Sequence, residues 1–211
     1  MGRRTGYPNG TFSWADLGTP DVEGAKDFYG RLFGWEPEDR TGVAGTYTTF
    51  RRDDDVVAGL YGQSGDQRAA GVPARWLSYV TVDGIEEVAS RVAGLGGTVL
   101  NEPFDVEDAG RTALIVDPVG ARLALWEARS SIGATRVNDP GCLCWNDLVT
   151  SDMEAAAAFY GELLGWEARE LPEAGGYRII RNGDRSNGGM MSAQLAGWQG
   201  PADWLPYFNA G

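Results

Sequence analysis

The sequence contains no histidine. Histidine is the commonest side-chain ligand of transition metals and the usual general base near neutral pH, so its absence excludes the ordinary forms of both kinds of site. The two cysteines, Cys142 and Cys144, lie too close together for an ordinary structural disulfide, which favours a reducing compartment. No apolar run approaches the roughly 18 residues that span a bilayer, and no secretory signal opens the chain. We therefore expect a cytoplasmic protein that does not associate with membranes.

Basic residues are also scarce. The chain has 18 lysines and arginines against 30 acidic residues, a formal net charge of −12. Such a balance repels the phosphate backbone, so no nucleic-acid partner is expected. The sequence shows no phosphate-binding loop, and "GLGG" at 94–97 ends a predicted helix rather than opening one, unlike a dinucleotide-binding loop. We expect no cofactor.

What the sequence does contain is an internal repeat. The segment at 14–38, "WADLGTPDVEGAKDFYGRLFGWEPE", matches the segment at 145–169, "WNDLVTSDMEAAAAFYGELLGWEAR". A second pair, "PARWLSYV" at 73–80 and "PADWLPYF" at 201–208, repeats at almost the same spacing. Self-similarity of this kind indicates tandem structural units.

Two units follow from these matches, and each is built from two modules. The first unit covers 11–127, with modules at 11–70 and 73–127, and a polar linker at 128–140 leads to the second unit at 141–211. The second unit stops early in its last module, so we expect it to be truncated, with a helix and three strands missing. Uncovered strand edges favour association, so we expect this form to make a homodimer or to aggregate.

Each module is predicted to contain a strand, an amphipathic helix that ends at glycine, and three further strands. Paired βαβββ modules with "TPD", "FYGRLFGW" and "DPVGARLAL" resemble the vicinal oxygen chelate superfamily, which includes glyoxalases, bleomycin-resistance proteins and extradiol dioxygenases. The resemblance implies an α+β fold in which paired modules form open, cup-shaped mixed β-sheets with helices outside. One scaffold of this kind hosts many chemistries, so the fold alone does not give the function.

The resemblance also marks the positions where metal-dependent members carry their ligands. These positions hold Trp14, Trp76, Trp145 and Trp204 on the first strands of the modules and Ala124 on a last strand. None of these side chains chelates a divalent cation. We therefore expect a site without metal.

Strand alternation predicts what replaces the metal, because residues i and i+2 share a face. Phe12, Trp14 and Asp16 are predicted to share the concave face, as are Leu143, Trp145 and Asp147 in the repeat. Two further strands are expected to add Trp76, Ser78, Arg122 and Trp126. The predicted ligand-binding residues are Trp14, Trp76, Ser78, Arg122, Trp126, Trp145 and Trp204.

A cup lined with indoles suits a flat aromatic guest, so the leading hypothesis is metal-independent binding of a small aromatic or polycyclic molecule, as in antibiotic sequestration. The alternative is a metal-free lyase, isomerase or cyclase in which Asp16 or Asp147 is the catalytic acid or base, assisted by Tyr47 or Tyr79. A third hypothesis is a structural or regulatory module with an empty cup.

Overall fold

A computed structural model describes residues 2–42 and 45–211 and has the α+β architecture that the sequence predicts. The helices are α1 (Val22–Phe33), α2 (Gly65–Ala69), α3 (Ile85–Val92), α4 (Met153–Leu164) and α5 (Ala193–Ala196). The strands are β1 (Thr11–Thr19), β2 (Glu36–Gly42), β3 (Gly45–Arg52), β4 (Asp55–Gly62), β5 (Arg75–Thr81), β6 (Thr98–Val106), β7 (Gly110–Val116), β8 (Arg122–Ala128), β9 (Leu143–Thr150), β10 (Glu167–Glu170), β11 (Arg178–Asn182), β12 (Arg185–Ser192) and β13 (Asp203–Phe208).

The strands form two curled mixed sheets. The first sheet has eight strands in the order β2-β3-β4-β1-β5-β8-β7-β6, and the second has five in the order β10-β11-β12-β9-β13. At the centre of the first sheet, β1 and β5 form an antiparallel pair. On the outer sides of this pair, β4 runs parallel to β1 and β8 runs parallel to β5. The central strands β1 and β5 therefore carry the residues at the middle of the concave face.

The helices cover the opposite face of the sheets, where the apolar core lies. In α3 the helical repeat of Ile85, Val88 and Val92 is buried, as its spacing predicts. Helix α4 packs against α3, which buries Phe159 and Leu163 of α4 in the same core. The residues of α1 at the equivalent repeat positions, Phe28 and Leu32, are exposed.

A β-bulge in β1 separates residues that simple alternation places together. The register with β5 shifts between Phe12 and Trp14, and a bulge adds a residue that turns the chain. Phe12 therefore packs on the helix side, with its ring centroid 5.3 Å from that of Trp166 and 5.0 Å from that of Trp204. The expectation that Phe12 shares the concave face with Trp14 and Asp16 is wrong.

The longest helices, α1 and α4, have 12 residues each. Within 2–42 and 45–211, no helix is long and apolar enough to span a bilayer.

Candidate functional site

The centre of the concave face of the first sheet holds a buried aspartate with three aromatic neighbours. Asp16 is 2% exposed. Its Oδ2 accepts hydrogen bonds from the hydroxyl of Tyr79 at 2.9 Å and from that of Tyr47 at 3.2 Å. The Tyr47 hydroxyl in turn accepts one from Nε1 of Trp14 at 3.0 Å. These four residues form one hydrogen-bonded group, which we call the Asp16 cluster.

Strand pairing and one glycine explain how the Asp16 cluster forms. Trp14 and Tyr79 lie opposite each other in the β1–β5 pair, and Gly59 of β4 lies beside Asp16. A Cβ at Gly59 would collide with the Tyr47 hydroxyl and lie 2.9 Å from Cβ of Asp16. Only glycine leaves room for the Tyr47 phenol to cross β4 and reach the carboxylate.

Burial gives the Asp16 carboxyl unusual protonation behaviour. Desolvation raises its pKa to about 7, although the hydrogen bonds from Tyr79 and Tyr47 oppose the shift. Its other oxygen, Oδ1, is buried without a hydrogen-bond partner. Burial and the adjacent Asp16 charge raise the pKa values of Tyr47 and Tyr79 well above the ordinary value, so both stay phenols. Near neutral pH, Oδ1 of Asp16 can therefore either accept a proton from a guest or donate one.

The second sheet carries the same four residue types in a similar arrangement. Asp147 accepts hydrogen bonds at Oδ1 from the hydroxyl of Tyr177 at 2.7 Å and from Nε1 of Trp145 at 2.8 Å. Tyr207 lies opposite Trp145 in the β9–β13 pair. Gly189 beside Asp147 again leaves room for the tyrosine, because a Cβ there would collide with the Tyr177 hydroxyl. The two predicted catalytic aspartates thus lie in equivalent surroundings on separate sheets.

Two more of the predicted residues lie on the concave face of the first sheet. In β8, Leu123 and Leu125 are in the core, so alternation turns Arg122 and Trp126 to the other side. Arg122 is exposed at the start of the strand. Trp126 is 8% exposed, and its Nε1 donates to the carbonyl oxygen of Ser131 at 3.0 Å, so its indole is held largely inside the protein.

Trp76 is not on the concave face, contrary to the expectation from sequence. It lies opposite Leu17 in the β1–β5 pair, and Leu17 belongs to the core under α1. The Trp76 indole packs at 5.4 Å from the ring of Tyr29 and donates to the Tyr29 hydroxyl at 3.0 Å. The concave residue of β5 opposite Trp14 is Tyr79, because the antiparallel register reverses the order of the two strands.

The expectation that Ser78 and Trp204 lie on a concave face is wrong for the same reason. Ser78 is fully buried on the helix side, where its Oγ donates to Oδ1 of Asn146 at 2.8 Å and so joins the two sheets. Trp204 is 1% exposed and donates to the hydroxyl of Tyr160 at 2.8 Å. Both side chains hold the core together and do not reach a concave face.

The donor set at this site does not fit a divalent metal ion. The Asp16 cluster offers one carboxylate, two phenols with raised pKa values and an indole that only donates. Across 2–42 and 45–211, no three histidine, cysteine or acidic side chains converge into a group that could hold a metal. No step of the proposed function therefore passes through a metal.

The sequence interpretation named Tyr47 and Tyr79 only as assistants and missed their counterparts, Tyr177 and Tyr207. The signal was present in the repeat, since Tyr79 and Tyr207 occupy matching positions in "RWLSYV" and "DWLPYF". Tyr47 and Tyr177 lie 130 residues apart, close to the spacing of Asp16 and Asp147. Aligning tyrosines together with aspartates would have predicted both clusters.

Known proteins resemble this chain in sequence and in fold. The chain is 38% identical over 212 residues to the "Putative glyoxylase CFP32" of Mycobacterium tuberculosis, covering 99% of this chain and 80% of that protein. It is 38% identical over 174 residues to the "Anthracycline biosynthesis protein DnrV" of Streptomyces peucetius, covering 76% of this chain and 62% of that protein.

Among solved structures, the Mn(II)-bound glyoxalase from Novosphingobium aromaticivorans matches with a TM-score of 0.63 at 15% identity, over 91% of this chain and 63% of that one. BphC, a halotolerant catechol dioxygenase, matches with a TM-score of 0.61 at 16% identity, over 87% of this chain and 65% of that one. The chain therefore spans less than two thirds of each of these structures, and at such identities the likeness concerns the fold alone.

The family described as the Glyoxalase/Bleomycin resistance protein/Dioxygenase superfamily matches residues 11–125, more than half of the chain. This match agrees with the paired βαβββ modules and with the resemblance drawn from the sequence. The chain belongs to the glyoxalase/bleomycin resistance protein/dioxygenase superfamily.

Proposed function

We propose that the first sheet binds a small polycyclic aromatic molecule, without a metal, on the concave face beside Trp14 and Asp16. The observation that carries this proposal is Oδ1 of Asp16, a buried oxygen without a hydrogen-bond partner. An unsatisfied buried acceptor is costly, by about 1–3 kcal/mol, so a guest that hydrogen-bonds it gains affinity. A phenolic hydroxyl or a quinone carbonyl can make this bond, according to the protonation state of Asp16.

The surroundings of that oxygen favour a flat guest. Trp14, Tyr47, Tyr61 and Tyr79 are only partly buried, so aromatic surface remains open to a ligand. Aromatic stacking adds roughly 0.5–1.5 kcal/mol per pair beyond the burial of area. A relative named for anthracycline biosynthesis supports the same ligand class, because anthracyclines are polycyclic aromatic compounds.

A second candidate function is a metal-free acid–base enzyme of the lyase, isomerase or cyclase type. The observation in its favour is the pKa of Asp16, which burial raises to about 7. A group that titrates near the working pH is the best compromise between availability and strength as a general acid or base. Asp16 would transfer the proton at Oδ1, and Tyr79 and Tyr47 would stabilise its anion through Oδ2.

One titration separates these functions. Tryptophan fluorescence is followed as 1,4-dihydroxyanthraquinone is added in the presence of EDTA, and the compound is then recovered and analysed by mass spectrometry. Saturable quenching with unchanged compound supports binding, and conversion of the compound supports the enzyme. If neither 1,4-dihydroxyanthraquinone nor related hydroxylated aromatics quench the fluorescence of the wild-type protein, the proposal is contradicted.

A further inference from the structure

Arg122 is a cation at the start of β8 on the concave face of the first sheet. It is exposed, and within 2–42 and 45–211 no hydrogen bond or ion pair holds its guanidinium. Burial raises the pKa of the nearby Asp203, and the charges of Arg75 and Arg122 oppose that shift. The neighbouring Arg75 is different, because Arg75 donates to Oδ2 of Asp203 at 2.7 Å and is thereby neutralised. The chain has a net charge of −12. An arginine without an ion pair, on the face proposed to bind a ligand, therefore favours an anionic ligand.

The register of three strands fixes where Arg122 lies relative to Asp16. Asp16 of β1 is opposite Leu77 of β5. Tyr79 of β5 is level with Ala124 of β8 in a parallel pair, so two residues earlier Leu77 is level with Arg122. Asp16 and Arg122 are thus in one row, with Leu77 between them. Two strand spacings separate their backbones, roughly 10 Å.

Tyr61 of β4 lies at the Asp16 end of this row, because β4 and β5 flank β1 on opposite sides. Burial raises the pKa of the Tyr61 phenol, the charge of Asp16 raises it further, and the charges of Arg75 and Arg122 oppose the shift. A Cβ at Gly18 would lie 2.7 Å from the Tyr61 hydroxyl, so this ring lies over β1 next to Asp16. The surface from Asp16 to Arg122 therefore has a hydrogen-bonding and aromatic end at Asp16, an apolar middle at Leu77 and a cationic end at Arg122.

We propose that the ligand is an aromatic acid whose carboxylate pairs with Arg122 while a hydroxyl or carbonyl at the far side of its ring system hydrogen-bonds Oδ1 of Asp16. The two strand spacings between the backbones of Asp16 and Arg122, roughly 10 Å, are closer to the length of a tricyclic ring system than to that of a single ring. Arginine binds a carboxylate through two parallel N–H donors. The ion pair would therefore orient the ring plane of the ligand as well as neutralise its carboxylate. This inference rests on the proposed binding function and adds the acidic group.

The test compares two probes of the same ring system, anthraquinone-2-carboxylate and its methyl ester, by titration calorimetry at low salt. The wild-type protein is expected to bind the acid at least tenfold more tightly than the ester. Arg122→Gln removes the preference, bringing the two affinities within about twofold, because the ester contacts do not need the charge. Arg185→Gln is the matched control, since it removes an exposed strand arginine from the second sheet, and the tenfold preference should remain.

Each result decides one of the two proposals. Equal affinities of acid and ester in the wild type, or a preference that survives in Arg122→Gln, overturn the acidic-ligand inference and leave aromatic binding intact. Failure of both probes to bind the wild type rejects the binding function and this inference with it. Unfolding by urea is measured for both variants, and an unchanged midpoint shows that the loss of preference is not a loss of structure.

Discussion

The indole Nε1 of Trp145 donates a hydrogen bond to Oδ1 of Asp147, over a distance of 2.8 Å. The equivalent indole, that of Trp14, donates to the Tyr47 hydroxyl and not to Asp16. Trp145 also donates to the Tyr177 hydroxyl at 2.9 Å, as Trp14 does to that of Tyr47, so its bond to Asp147 is an addition in the second copy. In each copy these side-chain hydrogen bonds converge on one carboxylate oxygen, Oδ2 of Asp16 and Oδ1 of Asp147. The remaining oxygen of Asp16, Oδ1, is buried without a partner, and this oxygen makes the first concave face the better candidate for recognising a ligand.

Asp16 predicts a specific pH dependence of stability. The carboxyl titrates at about 3.9 in an unfolded chain and at about 7 in the fold. Between these values the folded protein binds more protons than the unfolded chain, so the free energy of unfolding falls as pH rises and levels off above pH 7. Asp16→Asn has no carboxyl at this position and so lacks this pH-dependent contribution to the free energy of unfolding. Its stability relative to the wild type should be about 2–3 kcal/mol more favourable at pH 8 than at pH 5.

Urea unfolding of both proteins at the two pH values measures this difference. A stability difference that does not change with pH would mean that Asp16 titrates normally in the fold.

Trp14 and Trp76 should respond in opposite ways to substitution. Trp14→Ala is expected to weaken the binding of 1,4-dihydroxyanthraquinone by about 1–3 kcal/mol, because it removes a stacking surface on the concave face. Trp76→Phe should leave affinity unchanged and lower stability by about 1–3 kcal/mol, because it removes the hydrogen bond to Tyr29 and leaves space in the core. Calorimetric titration and thermal unfolding give the two readings. The opposite pattern would place the ligand on the helix side.

Gly59 should be essential to the Asp16 cluster for a steric reason. In Gly59→Ala the new methyl group occupies the place of the Tyr47 hydroxyl, so Tyr47 must turn away and its hydrogen bond to Asp16 is lost. The variant should therefore reproduce the affinity of Tyr47→Phe for the anthraquinone. Gly94→Ala is the control, since a Cβ there meets nothing within 4 Å. Wild-type affinity in Gly59→Ala would show that Tyr47 does not help to form the binding surface.

Metal ions should not affect the protein. The Asp16 cluster offers a single carboxylate and no second anionic donor, so Mn²⁺ and Zn²⁺ have no set of converging ligands there. We expect no rise in melting temperature with either ion and no loss of anthraquinone affinity in EDTA. One tightly bound metal per chain in elemental analysis, together with stabilisation by that ion, would contradict the account.

The sequence predicts the modules, the sheets and the faces of β8 because strand and helix periodicity depend on local pattern. The sequence-based prediction is wrong for β5. Trp76 occupies the same position in its module as Trp14, yet its side chain lies on the helix side. Which side chains of β5 face the helices depends on the register of β5 with β1. That register is fixed by pairing between residues far apart in the chain. The bulge beside Phe12 is a similar case, since nothing in "TFSWAD" marks it.

The Asp16 cluster itself depends on long-range contacts. Tyr47 and Tyr79 come from strands on either side of β1 and β4, and their meeting at one carboxylate oxygen follows from the strand order. Periodicity indicates that Asp16 lies on a face but does not indicate which phenols it meets or that Oδ1 is left unpaired. These details require the assembled sheet.

The most direct test of metal-free aromatic binding on this face uses the indole N–H signals of the eight tryptophans. The ¹⁵N-labelled protein in EDTA is titrated with 1,4-dihydroxyanthraquinone, and the signals are assigned with single Trp→Phe variants. The account predicts that the Trp14 signal shifts to saturation while the Trp76 signal, held in its hydrogen bond to Tyr29, stays in place. A saturating shift at Trp76 with none at Trp14, or no shift in any indole signal, would contradict it.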